Sequence, residues 1–167
     1  MVWLLVFVKH FHFHLKTNNL RSEYSSMNRQ GPIIFIEDDI DDQETFHEAF
    51  SELDYKNEII FFSDGQAALD YLNEVEVEPF IIFSDINMPK LSGLALREKV
   101  FENESLRIKT IPYLFFSTSA EQQYVIEAYS KSAQGFFTKP ANYNELKELM
   151  KTIITYWQSC VSPNFVR

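Results

Sequence analysis

From Pro32 onward, short apolar runs alternate with longer stretches whose apolar residues recur at helical spacing. "PIIFIE" (32–37) reads as a buried strand. "DDQETFHEAFSEL" (41–53) puts Phe46, Ala49, Phe50 and Leu53 on one helical face, and Asp41 with Glu44 three places on fits a capping box. "EIIFFS" (58–63) is strand-like. "DGQAALDYLNEV" (64–75) is helical, with Ala68, Leu69 and Leu72 on one side and Asp64 as its cap. "FIIFSD" (80–85) is a third strand and "SGLALREKVFE" (92–102) a helix. "IPYLFFS" (111–117) and "GFFTK" (135–139) are strands, with a helix over "AEQQYVIEAYSKS" (120–132) between them. "YNELKELMKTIITYW" (143–157) closes the chain as a helix.

Five strands alternating with five helices predict an α/β fold: a doubly wound, five-stranded parallel sheet with helices on both faces and right-handed crossovers. Such sheets bind ligands at the carboxyl ends of their strands, so the residues that close each strand matter most. The first strand closes on Glu37 and Asp38, the third on Asp85, the fourth on Ser117 and the fifth on Lys139 followed by Pro140. Three carboxylates on one sheet edge repel, and a hard divalent cation is the natural way to hold them ionised. Three negative charges, a divalent cation and the Lys139 ammonium balance. A phosphoryl group arriving there meets positive charge and a hydroxyl, which is most of what phosphoryl transfer needs. Asp85 is also a competent nucleophile. Asp39, Asp41 and Asp42 are expected only to favour the positive start of the first helix. "DDIDD" lacks the glycine and alternate ligands of a calcium loop.

Charge narrows the partners. The net charge of −9 argues against nucleic acid or an anionic membrane. A single cysteine, Cys160, permits no internal disulfide and fits a reducing cytoplasm. Residues 1–30 differ from the rest. "MVWLLVFV" is apolar, "KHFHFHLK" alternates His and Phe, and a polar stretch follows. Four basic residues and one acid give this segment +3 and leave −12 for residues 31–167. The apolar run is too short to span a membrane and lacks the flanks of a signal peptide. The expectation is an extension (1–30) outside the core, with Met27 as the natural start, a domain over 31–158 and a short tail over 159–167. His10, His12 and His14 could share a strand face and bind zinc, but on spacing alone the plainer expectation is an extension without function.

The motifs together resemble the receiver domain of response regulators in two-component signalling. They are "FIEDD" with Glu37 and Asp38, "SDINMPKLSG" with Asp85, Met88, Pro89 and Gly93, "FFSTSA" with Ser117, and "GFFTKP" with Lys139 and Pro140. The resemblance runs from about Pro32 to Trp157. It implies the flavodoxin-like strand order 2-1-3-4-5 and the following roles. Asp85 is the phosphoacceptor. Asp38 and Asp85 bind Mg²⁺ directly, Glu37 acts mostly through water, and the Asn87 backbone carbonyl completes the set. Lys139 holds a phosphoryl oxygen, Ser117 swings toward it, and Phe136 changes burial in step. The Lys139–Pro140 peptide is expected to be cis. Asn87 and Ser119 resemble positions that tune dephosphorylation. A sensor histidine kinase or histidine phosphotransfer protein would donate, and a downstream protein would read the output. The resemblance also implies homodimers through the face formed by the 120–132 helix, the last strand and the closing helix.

Three residues set this chain apart from the commonest family pattern. Ser117 stands where Thr is usual but keeps the hydroxyl. Phe136 stands where Tyr is common and lacks one. The first acid is Glu rather than Asp. Only "QSCVSPNFVR" follows Trp157, so a stand-alone receiver is expected. Two rival readings are an interaction module that is not phosphorylated, and a phosphatase with an aspartyl intermediate. The latter usually wants a second acid where Asn87 stands.

Overall fold

The computed structural model describes residues 27–74 and 76–161. The apolar start, His10, His12 and His14, Met27's predecessors and the last six residues lie outside that range. The strands are β1 (Ile33–Ile36), β2 (Ile59–Phe62), β3 (Ile81–Ser84), β4 (Tyr113–Ser117) and β5 (Gly135–Thr138). The helices are α1 (Ile40–Leu53), α2 (Gly65–Leu72), α3 (Gly93–Glu102), α4 (Glu104–Arg107), α5 (Gln122–Ser130) and α6 (Tyr143–Ser159). All pairings are parallel and the order is β2-β1-β3-β4-β5, as expected.

The central strands are buried on both faces, and their alternation divides the core in two. Ile33, Phe35 and Phe83 face α1 and α6, where they meet Phe46, Phe50, Leu146 and Met150. Ile34, Ile36 and Ile82 face α2, α3 and α5, where they meet Leu72, Leu96 and Ala128. Phe35 stacks on Phe46, Phe61 and Phe83 at centroid distances of 5.1, 5.3 and 4.8 Å, so aromatic contacts tie α1 to three strands. The edge strand β2 is only half-buried.

Two expectations about element ends change. The capping box at Asp41 and Glu44 does not form. Asp39 is the cap, its carboxylate accepting from the backbone N–H groups of Asp41 and Asp42, so α1 starts one residue earlier. Only one residue can cap this turn, and Asp39 has the extended backbone that the role needs. The helix expected over 64–75 ends at Leu72, with Asp64 capping it as expected. The four-residue α4 has no counterpart among the predicted elements; Asn103 ends α3 and caps α4 in one step. Met27, within the expected extension, packs on the α1–α6 side of the core. Arg29 donates from Nη2 to the Cys160 carbonyl at 2.5 Å. No helix among the described residues is long and apolar enough to cross a membrane.

Candidate functional site

Parallel strands bring their carboxyl ends to one edge, and β1, β3 and β5 deliver Glu37, Asp38, Asp85 and Lys139 there. Ligand oxygens of Glu37, Asp38 and Asp85 all lie within 4.8 Å of one another. Glu37 is buried, Asp85 half-buried and Asp38 exposed, so the cluster opens to solvent on one side. Asp85 is oriented by its own backbone: the Ile86 N–H donates to Oδ1 at 2.7 Å. Oδ2 stands 4.0 Å from Lys139 Nζ.

The loop after Asp85 is fixed by close packing. A Cβ on Gly93 would overlap the Asp85 carbonyl oxygen, so only glycine lets α3 begin here. Lys90 takes a left-handed φ of 61° and reaches Asp64 Oδ2 at 2.6 Å, tying this loop to the start of α2. The Lys90 hydrogen bond, helped by the Ala67 N–H, holds the Asp64 carboxyl below its ordinary range.

Lys139 is nearly buried and donates to Glu37 and, at 2.6 Å, to Asp42 Oδ2. Burial alone would lower its pKa; the hydrogen bonds to Asp42 and Glu37 outweigh that and hold the ammonium charged. Glu37 is pushed up to about 7 by burial, with Lys139 opposing and the Asp85 charge adding to the rise. Asp42 thus belongs to the site, although the sequence suggested only a helix-start charge. Lys139 lies 97 residues further along the chain, and nothing local to Asp42 marks it as a partner. The donor set fits a hard divalent cation: every candidate ligand is a carboxylate oxygen, and the three residues bring these oxygens together on the side of the cluster that opens to solvent.

Ser117 ends β4 beside Thr138 of β5 and is 1% exposed. Its Oγ has no hydrogen-bond partner, an arrangement that costs about 1–3 kcal/mol. Phe136 is half-buried, its ring 6.1 Å from Phe115. Asn87 is exposed. The expected cis bond at Pro140 is absent, since no cis peptide occurs among the described residues. An X–Pro bond prefers trans by about 0.5–1 kcal/mol, and Lys139 makes its ion pairs with Glu37, Asp42 and Asp85 in that form. A cavity beside Lys139 and Asp42, reaching Thr118 and Tyr143, gives access from the α1–α6 side.

The comparisons with known proteins agree with this geometry. Residues 33–151 match the response regulator receiver domain. A probable methanogenesis regulatory protein, FilR2, of Methanothrix harundinacea is 29% identical over 75% of this chain and 82% of its own length. Response regulator Rcp1 of Synechocystis is 27% identical over 78% of this chain and 90% of its own. The structure of its Mn²⁺-bound form superposes with a TM-score of 0.69, covering 79% of this chain and 97% of that one. The phosphorylated cyanobacterial phytochrome response regulator RcpA superposes with a TM-score of 0.70 at 26% identity, over 78% of this chain and 98% of that one. With the sheet order, the edge cluster and the family match in agreement, the chain belongs to the response regulator receiver domain family of two-component signalling.

Proposed function

We propose that the chain is a phosphoacceptor, modified on Asp85 by a sensor histidine kinase or histidine phosphotransfer protein in the cytoplasm. The observation that carries this is the meeting of a backbone-oriented Asp85 carboxylate with Glu37, Asp38 and Lys139 at one sheet edge. An Asp85 oxygen attacks phosphorus of a phosphohistidine. The phosphorus–nitrogen bond breaks, its electron pair goes to the imidazole, and that nitrogen takes up a proton. Glu37, Asp38, Asp85 and the Asn87 backbone carbonyl would hold Mg²⁺, which when bound neutralises the carboxylates and the phosphoryl oxygens. The Ile86 N–H fixes the attacking carboxylate. Lys139 supplies a charged donor close enough to reach a phosphoryl oxygen once one stands beside Asp85.

The partnerless Ser117 Oγ supports a switching role. A phosphoryl oxygen would give the buried hydroxyl its missing partner, and Phe136 beside Phe115 would repack as β4 adjusts. The readout is a changed protein surface around α5, β5 and α6, a shift between two packings biased by the new charge. The receiver would occupy residues 31–158, with residues 1–30 outside its catalytic part.

Intact mass after incubation with acetyl phosphate and Mg²⁺ tests the reading. The parent should gain one phosphoryl group and Asp85→Asn none. A parent that gains none from acetyl phosphate or from any of several histidine kinases, while Asp85→Asn binds the downstream partner as the parent does, would make the chain an interaction module instead.

A further inference from the structure

At the amino-terminal edge of the sheet, opposite Asp85, α3, α4, the approach to β4, the turn before β5 and the end of α6 border a cavity of about 220 Å³ that opens to solvent. Val100, Leu106, Ile111 and Trp157 give it an apolar lining, and Arg97 and Arg107 stand in its wall. Arg97 is 6% exposed. A guanidinium so far from water needs full hydrogen bonding or a counter-charge. Its Nη2 donates to the Ser132 carbonyl at 2.6 Å, but its Nε has no acceptor. Among the described residues no carboxylate forms an ion pair with it. The rings of Tyr113 and Phe101, at 5.3 and 5.7 Å, compensate only in part. Burial draws its pKa below the ordinary arginine value, against the pull of Tyr113. Arg107 has only an exposed contact with Glu104 at 4.0 Å, which holds it weakly.

The rim is built around these charges. Ser132 and Thr110 both line the cavity and both take left-handed φ, at 60° and 53°. They are two of the four non-glycine residues in that region of backbone space among the described residues, a strain that gathers at functional sites. Gln134 Nε2 donates to the same Ser132 carbonyl at 2.8 Å, while its Oε1 accepts from Tyr113 N at 2.8 Å.

We propose that this cavity binds a small organic monocarboxylate, its headgroup paired with Arg97 and Arg107 and its apolar body against Trp157, Val100 and Leu106. The volume lies below the range of about 300–1,000 Å³ usual for drug-sized ligands, so the body is about one ring with a short arm. A single negative charge matches the single uncompensated buried guanidinium. A phosphate dianion would match the two arginines in charge, but Arg107 is largely exposed and the second negative charge would lie against the apolar lining, at a steep desolvation cost. The plainer alternative makes Arg97 only a strut between α3 and the turn after α5.

The test uses the full chain and 3-phenylpropionate as the probe, with 3-phenylpropanamide as the uncharged control. Two-dimensional NMR follows the Arg97 Nε–H and the Trp157 indole N–H. The expected result is saturable shifts with a Kd of about 1 mM or tighter. Loss of the charge-assisted hydrogen bonds should weaken the amide about tenfold or more, and Arg97→Lys likewise. Arg107→Gln should weaken the acid by a smaller factor. No saturable shift, or an amide that binds as well as the acid, would overturn the proposal. If Arg97→Lys fails to fold, the amide control and Arg107→Gln decide between ligand site and strut, since a strut gives the parent no response to either probe.

Discussion

Ser117 is the residue whose environment makes the sharpest demand. A hydroxyl with no partner inside the core weakens the resting state, so its removal should not weaken the fold. Ser117→Ala is expected to leave urea stability unchanged or to raise it by about 1 kcal/mol. The same variant should still gain a phosphoryl group, while the phosphorylation-induced NMR shifts near Phe136 shrink. A loss of stability would mean that the hydroxyl is satisfied in solution. Glu37 makes a demand of the opposite kind. Its carboxyl is raised from 4.5 to about 7, so between those pH values the folded protein holds a proton that the unfolded chain has released. Stability of the metal-free protein should therefore fall as pH rises across that window, by up to about 3 kcal/mol from this one group. Thermal melts in EDTA at pH 5 and pH 8 check this, and saturating Mg²⁺ should flatten the slope. Glu37, Asp38, Asp85, Ser117 and Lys139 could be found in the sequence because each closes a strand, and strand ends are where this fold gathers its chemistry. Asp42 could not, because its bond to Lys139 exists only once α1 and β5 have been packed together.

At the scale of elements, the α2 amino terminus carries two loads on one carboxylate. Asp64 accepts from the Ala67 N–H at 2.9 Å and from Lys90 at 2.6 Å, joining α2 to the loop that follows Asp85. Asp64→Ala removes both and should cost about 1–2 kcal/mol in urea denaturation near pH 7, mostly through the lost cap. Asp64→Asn keeps a good cap and should lose only a few tenths, because Lys90 is largely exposed. The folded pKa of Asp64 is depressed, so its contribution is present above the unfolded value near 3.8 and disappears as pH falls through the folded value. Parent and Asp64→Ala should thus converge toward acid, apart from the neutral cap's residual bond. A constant gap at every pH would assign the loss to packing instead. The strands were legible because each is a short, dense apolar run, and the three central ones are buried on both faces. Ends were less so: Asp39 takes the cap that spacing suggested for Asp41. The short α4 escaped because four residues are too few for periodicity to register.

The whole molecule works as a sheet with two chemically distinct edges, separated by β4's five residues, or about 17 Å. Acid collects at the carboxyl edge, where Glu37, Asp42 and Asp85 share one lysine and Asp38 stands beside Glu37 and Asp85. A cation bound there ties β1 to β3, and it binds the folded state alone because the unfolded chain does not bring these residues together. Mg²⁺ should then stabilise by mass action: at a concentration of about 100 times Kd the gain is about 2.7 kcal/mol. For a domain of this size that corresponds to a rise in Tm of about 5–10 °C. Asp38→Asn replaces an exposed carboxylate with a neutral amide and relieves its repulsion with Glu37 and Asp85, so its metal-free Tm should equal or exceed the parent's while its Mg²⁺-dependent rise falls away. Differential scanning calorimetry of both proteins, in EDTA and across a Mg²⁺ series, separates the two contributions. Equal Mg²⁺-dependent rises in parent and variant would move the cation away from Asp38 and with it the charge balance proposed around Asp85.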